Sequence, residues 1–524
     1  MLRLHGMRPK NFLSMLNPLI LQSCYVKNIN NKKHTTDSEL TNLTLAEAAE
    51  GIAVRRFTSL ELTKECINRI KSLGSLLNCI ARFDEEAAIE TAIKADSKIT
   101  KGYSIGPLHG IPLAHKDIFF RKNHITAAGS HILSQFVPEV TATALNRLDH
   151  AGALDIARLQ MMEFALGFTG HNKITGTPLN PWNHKHIPGG SSSGSASALA
   201  ARIVFGSLGS DTGGSVRLPA ACCGLFGLKP TYDRISRFGL LPLSFSLDHV
   251  GIMTRSALDA AIILDIVAGE DKTDSMTENT FIPKYQPSIL SGIKGVRIGV
   301  PKNYFFNHIS MEIESLMRDG LYVFKSLGAI HVDVEIPESF GKVNGLSSLV
   351  VTSEAATFHR HWIQKCPEKY GSQTLSRILP GLMYPATQYI EALKLRKRIL
   401  SEFLDAVFRH VDVLYVPVIP VEVPTLAETD AAANSEAGTR EVELGNFTRP
   451  FNYLGVPAMS VPAGLTANGL PNGFQLIGRP FDEEILLRAA YAYEQATNCS
   501  RCPPTYLKNT DDVTLSFSKK GALD

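Results

Sequence analysis

Two segments rich in glycine and serine stand close together in the chain and hold the residue types that acyl transfer needs. They are residues 189–195 and residues 210–217. In the second segment, Ser215 follows Asp-Thr-Gly-Gly, small residues whose successive backbone N–H groups can point to one spot and bind an anion. Beside a serine hydroxyl, such a group of donors is an oxyanion hole. The pattern therefore favours Ser215 as a nucleophile that attacks a carbonyl carbon.

Two other interpretations of the glycines fail on their spacing. A phosphate-binding loop needs G-x-x-x-x-G-K-[ST], or G-x-G-x-x-G between a strand and a helix, and neither occurs here. Residues 190–194 match the G-x-S-x-G nucleophile elbow with Ser192 at its centre, but that elbow requires an apolar strand directly before it. The preceding residues 180–186 read Asn-Pro-Trp-Asn-His-Lys-His, so Ser192 is not favoured as the nucleophile.

A serine nucleophile also needs a base that takes its proton. Lys116 is the candidate, because residues 106–114 predict a turn leading into a short buried strand and Lys116 stands at its end. A lysine is a base only when neutral, so its pKa must fall by roughly 3 units from about 10.4, through burial without a carboxylate partner. Asp117 and Asp211 must then point elsewhere. Judged by residue type alone, Lys116 is more often a surface or salt-bridged lysine.

The elements around these residues alternate between strands and helices, which predicts one large α/β domain. Capping boxes at Thr44 and Thr58 predict two helix starts. The strands are predicted at residues 153–157, 203–208, 296–300, 413–416 and 458–461. Further helices are predicted at residues 142–151, 161–167 and 197–202. The polar residues 421–442 resemble an excursion or lid.

Composition excludes several classes of protein. The 524 residues are 44% hydrophobic and 20% charged, with a formal net charge of +3, as in an ordinary globular protein without the basic surface that nucleic acids require. The sequence contains no run of 18 apolar residues, so no membrane-spanning helix is predicted. The eight cysteines are too sparse for a disulfide framework, and Cys499-x-x-Cys502 lacks the second pair of a zinc site.

The motifs, in their order and spacing, resemble those of the amidase signature family of serine amidohydrolases. Gly-Ser-Asp-Thr-Gly-Gly-Ser at 209–215 is the clearest of them. The others are residues 110–112, 116–117, 189–192, 216–221, 224–231 and 474–478. The match runs from about residue 44 to residue 500. The resemblance implies a single large α/β domain, with a central mixed, twisted β-sheet covered by helices on both faces.

The resemblance also implies a Ser–Ser–Lys triad. By position, Ser215 is the nucleophile, Lys116 the base, and Ser191, which follows a cis peptide bond, the relay between them. The spacing of 24 residues to Ser215 selects Ser191 rather than Ser192 or Ser193. Asp211 and Arg217 are expected to brace the loop. The expected oxyanion donors are the backbone N–H groups of Thr212, Gly213, Gly214 and Ser215.

Three features depart from the usual family pattern or stand out beside it. Ser193 replaces a glycine, and Arg158 replaces a lysine in what we expect to be a structural role. Cys222 and Cys223 follow the nucleophile loop and are expected to be small buried packing residues.

We expect an amidase that hydrolyses a carboxamide to a carboxylate and ammonia or an amine through a Ser215 acyl-enzyme, without metal or cofactor. Residues 243–249 read Leu-Ser-Phe-Ser-Leu-Asp-His and, like residues 353–360, resemble free-standing amidases. The alternative is the glutaminase subunit of a glutamyl-tRNA(Gln)/aspartyl-tRNA(Asn) amidotransferase, which usually reads Phe-Ala-Ser-Ser-Leu-Asp-Gln at 243–249 and works only with partner chains. A non-catalytic scaffold is disfavoured because all three triad positions are filled.

The expected partner is a small-molecule amide, which the sequence does not identify further. We expect no nucleic-acid partner and no membrane span, and the sequence leaves open whether the chain forms a homodimer. Residues 1–36 hold six basic residues and no acidic one. That composition is typical of an organelle transit peptide, an unstructured extension or a misplaced start codon. We expect a cytoplasmic protein, and the basic, acid-free composition of residues 1–36 makes an organellar protein the alternative. The predicted parts are a poorly ordered extension at 1–40, an amidase domain at 41–505 and a tail at 506–524.

Overall fold

The computed structural model describes residues 40–103, 105–277, 279–307 and 309–504 of the chain. They form a single α/β domain built on two β-sheets. The larger sheet has eight strands in the order β4-β6-β5-β10-β11-β9-β7-β8, and the smaller has three in the order β1-β3-β2. Their bounds are β1 (Ile80–Phe83), β2 (Pro112–Lys116), β3 (Leu154–Leu159), β4 (Ser207–Asp211), β5 (Phe226–Lys229), β6 (His249–Thr254), β7 (Arg297–Pro301), β8 (Ile330–Val334), β9 (Val413–Pro417), β10 (Ala458–Leu465) and β11 (Pro471–Ile477).

The larger sheet is mixed, as expected. From β4 to β9 each neighbouring pair is antiparallel, whereas β7 runs parallel to both β9 and β8. Strands β9 and β11 are buried along their whole length, because helices cover the sheet, and β9 is a nearly continuous apolar run.

Helices surround the sheets and pack against them. The α-helices are Leu45–Ala53, Ser59–Arg69, Ser75–Leu77, Glu85–Thr100, Thr143–His150, Ser193–Ala200, Arg217–Cys223, Ala257–Val267, Tyr285–Ser288, Met311–Ser326, Val343–Lys365, Ser372–Ile378, Ala386–Val407, Leu426–Thr429, Ala437–Leu444, Arg449–Tyr453 and Glu483–Thr497. Both predicted capping boxes are confirmed, with Thr44 and Thr58 as the N-caps of the first two helices.

The two sheets meet at the strands that carry the chemistry. Phe205 N donates to Pro112 O at 3.2 Å and Ala114 N donates to Gly206 O at 3.4 Å, so the chain entering β4 runs along β2. The carboxyl ends of β2 and β4 therefore lie side by side. Lys116 ends β2, and Ser210 and Asp211 end β4.

Some predicted elements have different bounds. The strand predicted at 203–208 begins only at Ser207, and residues 203–206 connect it to a turn at Arg202, whose φ is 57°. The predicted helix at 161–167 is only a 3₁₀ turn at Glu163–Ala165, because Phe164 and Ala165 have φ of 50° and 63°, which an α-helix excludes. The helix predicted at 197–202 begins earlier, at Ser193. Residues 421–442 contain two short helices.

Two of the three predicted parts fall largely outside the described residues. The extension at 1–40 lies outside them except for Leu40, and the tail at 506–524 lies entirely outside. Among the residues that are described, no helix is both long and apolar enough to cross a membrane.

Candidate active site

Lys116 lies fully buried at the end of β2, and hydroxyl groups surround its amine. Its Nζ donates to Ser191 Oγ at 2.8 Å and to Ser210 Oγ at 2.8 Å. Burial lowers the pKa of Lys116 to about 7, although the more distant charges of Asp211 and Asp248 act in the opposite direction. A lysine in this setting can be neutral at physiological pH and accept a proton.

The two aspartates that could have paired with Lys116 point elsewhere, as the sequence required. Asp117 makes a salt bridge with Arg82, and Asp211 makes one with Arg217. The amine of Lys116 therefore faces neutral oxygens rather than a carboxylate, which leaves burial as the dominant influence on its pKa.

Ser191 belongs to the loop before the helix Ser193–Ala200. The peptide bond between Gly190 and Ser191 is cis, as predicted. Ser191 is fully buried, and its carbonyl accepts a hydrogen bond from Met162 N at 3.1 Å. Ser192 N donates to Ser215 O at 3.3 Å, so this loop lies directly beside the nucleophile loop.

Ser215 stands between β4 and the helix Arg217–Cys223 and is only 3% exposed. The structure joins Lys116 to Ser191 by a hydrogen bond, and it brings Ser215 to them through the backbone contact between the loops. In the part of the chain that is described, no hydrogen bond joins the hydroxyl groups of Ser191 and Ser215.

The loop before Ser215 depends on Gly214, whose backbone conformation only glycine adopts without strain. Gly214 has φ of 131°, and a Cβ there would lie 2.2 Å from Thr448 Oγ1. The Gly214 N–H donates to Asp211 Oδ1 at 2.8 Å. Of the four expected oxyanion donors, this one is already engaged. The N–H groups of Thr212, Gly213 and Ser215 donate to no acceptor among the described residues.

Asp211 and Arg217 form a fully buried ion pair beneath the loop. Arg217 Nη2 donates to Asp211 Oδ1 at 3.0 Å and Nε donates to Oδ2 at 3.1 Å. The guanidinium also donates to Gln475 Oε1 at 3.0 Å and to Asn452 Oδ1 at 2.6 Å. Despite the opposing effect of burial, these contacts hold the pKa of Asp211 well below its usual range. The pair is thus saturated by hydrogen bonds, as a buried ion pair must be.

Several of these partners were missed by the sequence reasoning. Ser210 stands inside a recognised motif, and its position one residue before Asp211 at the end of a strand was a usable signal. Gln475 lies in the downstream motif at 474–478, which gave no role for its amide. Asn452 and Thr448 carried no signal, because their contacts cross more than 230 residues of chain.

Asp248 links the segment 243–249 to the oxyanion loop. Thr212 Oγ1 donates to Asp248 Oδ1 at 2.5 Å, while the N–H groups of Leu243 and Ser244 donate to Oδ2 at 2.9 and 3.0 Å. Burial raises the pKa of Asp248 to about 6 despite these donors. The segment 243–249, whose sequence we expected to indicate a free-standing amidase, therefore contacts the site directly.

The other residues noted in the sequence lie in buried surroundings outside the proposed triad. Cys222 and Cys223 are buried, as expected, and burial raises the pKa of both thiols. Arg158 pairs with Asp155 at 2.6 Å, which agrees with a structural role. Ser193 Oγ is buried and has no hydrogen-bond partner among the described residues. The described part of the chain contains no group of three or more His, Cys, Asp and Glu side chains that could hold a metal ion.

Comparison with known proteins gives consistent matches over most of the chain. The sequence model of the Amidase family matches residues 61–487. The A subunit of glutamyl-tRNA(Gln) amidotransferase from Trichlorobacter lovleyi is 38% identical over 484 residues, which cover 88% of this chain and 98% of the relative.

Solved structures share the fold. One described as an amidase has a TM-score of 0.77 and 34% identity, covering 86% of this chain and 99% of its own. A chain of a vestigial protein complex that reveals the evolutionary origins of an s-triazine catabolic enzyme has a TM-score of 0.80 and 30% identity, covering 87% and 99% respectively.

Proposed function

Because the chain belongs to the amidase family, we propose that it hydrolyses a carboxamide at Ser215, with Lys116 as base and Ser191 as relay. The observation that carries this proposal is the buried amine of Lys116, which donates to Ser191 Oγ at 2.8 Å and pairs with no carboxylate among the described residues. Since burial brings the pKa of Lys116 to about 7, a large fraction is neutral at neutral pH and can act as a base.

The proposed reaction has two stages. Ser215 Oγ attacks the amide carbon, its proton passes to Ser191 while the Ser191 proton passes to Lys116 Nζ, and the carbonyl oxygen becomes an oxyanion. The N–H groups of Thr212, Gly213 and Ser215 are suited to stabilise that charge, each typically by about 2.7–4 kcal/mol. The C–N bond then breaks, and the proton returns through Ser191 to the leaving nitrogen.

Water attacks the resulting ester in the second stage. Lys116 again takes a proton through Ser191, and the ester C–O bond breaks as Ser215 regains its hydroxyl proton. The products are a carboxylate and ammonia or an amine. No step needs a group beyond the chain, the amide and water.

At the finer level, we infer that the chain is a glutaminase component of an amidotransferase and works with partner chains. The support is similarity to the amidotransferase subunit of Trichlorobacter lovleyi along 98% of that relative's length. The comparisons favour this alternative over the free-standing amidase that residues 243–249 suggested. The free-standing amidase remains the second candidate, because Asp248 of that segment contacts Thr212 beside Ser215 and an amidase of known structure is 34% identical.

The test is ammonia release from glutamine by the purified chain, alone and with amidotransferase partner subunits. The inferred function predicts weak release alone and at least tenfold more with the partners. Loss of this activity in Ser215→Ala, but not in the matched variant Ser193→Ala, would support the nucleophile. Ser193 is the control because its hydroxyl has no partner among the described residues.

The outcomes separate the candidates. Rapid hydrolysis of simple amides by the chain alone, unchanged by partners, would replace the amidotransferase function with that of a free-standing amidase. Full activity in Ser215→Ala would overturn both.

A further inference from the structure

Arg449 is a cation beside the nucleophile loop that the proposed mechanism does not use. It opens the helix Arg449–Tyr453 and directly follows Thr448, whose Oγ1 donates to Gly213 O at 2.6 Å. The stem of Arg449 reaches the loop itself, since a Cβ at Gly213 would lie 3.2 Å from Arg449 Cγ. The side chain is thus adjacent to one of the expected oxyanion donors.

The neighbouring arginines differ from Arg449 in having carboxylate partners. Arg217 pairs with Asp211, Arg377 with Glu441, and Arg440 with Glu443. Among the described residues, no carboxylate oxygen lies within the 4.0 Å of a salt bridge to the Arg449 guanidinium. Within the described parts of the chain, the guanidinium makes a single long hydrogen bond, from Nη1 to Val442 O at 3.4 Å.

Glu441 is the nearby acid that could have paired with Arg449, but other groups occupy it. Its carboxylate accepts hydrogen bonds from Arg377, from Phe168 N at 2.9 Å and from Gln373 Nε2 at 3.2 Å. The charge of Arg449 is therefore left without a direct counterion although its side chain is only partly exposed. Burial accordingly lowers its pKa to about 10, where it remains a cation at neutral pH.

The guanidinium is also held in place. Its Cζ lies 4.8 Å from the centre of the Phe168 ring, within the range of a cation–π contact. Gly445 makes room for both groups, because a Cβ there would lie 2.7 Å from the Phe168 ring and 3.0 Å from Arg449 Cζ. A fixed guanidinium with free donors is the group that recognises a carboxylate in a planar, two-bond geometry.

We propose that Arg449 binds a carboxylate of the amide substrate and so selects amides that carry a carboxylate group. This inference rests on the proposed amide hydrolysis at Ser215, of which it specifies the substrate class. Glutamine, a zwitterion, carries such a carboxylate, whereas pentanamide has a similar aliphatic chain without a charged group. Arg449 acts here in specificity and takes no part in proton transfer.

The first experiment compares glutamine and pentanamide as substrates of the wild type, Arg449→Met and Arg449→Lys, with partner subunits present. Loss of the charge should raise KM for glutamine at least tenfold with kcat little changed, and the lysine variant should recover part of it. Pentanamide kinetics should stay the same in all three. Arg398→Met, at an exposed pair with Glu402, is the matched control. An equal loss on both substrates, or none on either, would overturn the inference.

The second experiment does not depend on turnover. Binding of glutarate, a dicarboxylate without an amide, is measured by calorimetry on the wild type and on Arg449→Met. The inference expects binding by the wild type that falls at least tenfold in the variant. Equal binding by both proteins, or by neither, would overturn it. Glutarate binding that depends on Arg449, in a chain that hydrolyses no amide, would overturn the proposed function alone.

Discussion

Two buried basic side chains at the site, Arg217 and Lys116, have opposite surroundings. Arg217, beneath the nucleophile loop, has a carboxylate partner and two side-chain amide oxygens within 3.0 Å. Among the described residues, the Lys116 amine makes hydrogen bonds only with the hydroxyls of Ser191 and Ser210. Both side chains are fully buried.

The difference separates a charge suited to a structural role from an amine suited to the proposed role as base. An ion pair saturated by hydrogen bonds stays ionised at any ordinary pH, so Arg217 can hold the loop in one shape. An amine surrounded by hydroxyls has no such support for its charge, and burial brings its pKa down to about 7. We infer that the carboxylate of Asp211 serves the site by binding Arg217 and leaving Lys116 unpaired.

The largest expected effect comes from removing the proposed base. Lys116→Met should lower kcat by about 10³- to 10⁴-fold, in the upper range of general-base contributions, while the protein stays folded because no buried charge is left without a counterion. Amide turnover and thermal unfolding of the same preparation check this.

The control is a second buried lysine. Lys229 is also fully buried with a pKa well below its usual range, but its Nζ donates to Pro230 O at 2.9 Å and to no serine among the described residues. Lys229→Met should keep most of the rate. An equal loss in both variants would show that burial of a cation, rather than its contact with Ser191, is what matters.

The next effect is on stability, at the structural ion pair. Asp211→Asn leaves the guanidinium of Arg217 buried without a counterion, which should lower the free energy of unfolding by about 3–5 kcal/mol. Denaturant unfolding measures it. Asp405→Asn, at an exposed pair with Arg409, should give no measurable change. If Asp211→Asn were as stable as the control, the ion pair would not brace the loop.

The sequence predicted the surroundings of Lys116 better than those of Arg217. The buried strand that ends at Lys116 and the loop that holds Ser215 were both predictable, because local patterns and motif order define them. The cis bond before Ser191 and the separate paths of Asp117 and Asp211 also agreed with expectation.

What the sequence could not provide were contacts between distant segments. Asn452, 235 residues after Arg217, binds its guanidinium, and only the packing of the helix Arg449–Tyr453 against the loop creates that contact. The uncompensated charge of Arg449 is of the same kind, since the spacing of acids along the chain does not tell which of them are already occupied. Similarly, the Gly214 N–H donates to Asp211 in a backbone conformation with a φ of 131° at Gly214, and the sequence motif does not predict that φ.

The smallest expected effect concerns the pH profile and tests the hydroxyl surroundings of Lys116 directly. Because the proposed base is the neutral amine, kcat should fall as pH drops through about 7 and be level above it. Ser210→Ala removes an acceptor for the ammonium form, so the pKa of Lys116 should fall further. The acid limb should then move to lower pH by about 1 unit, since hydrogen bonds to charged groups are typically worth about 1.5–3 kcal/mol and one unit is 1.36 kcal/mol.

Asp248 provides the control for this assignment, because its own pKa of about 6 lies in the same range. If protonation of Asp248 caused the acid limb, Asp248→Asn would abolish it. If Lys116 causes it, the limb persists in Asp248→Asn and moves only slightly to lower pH, as expected when a negative charge that favours the ammonium form is removed. A limb that stays fixed in Ser210→Ala and disappears in Asp248→Asn would assign the titration to the carboxyl group, and the contrast between Lys116 and Arg217 would then lose its chemical meaning.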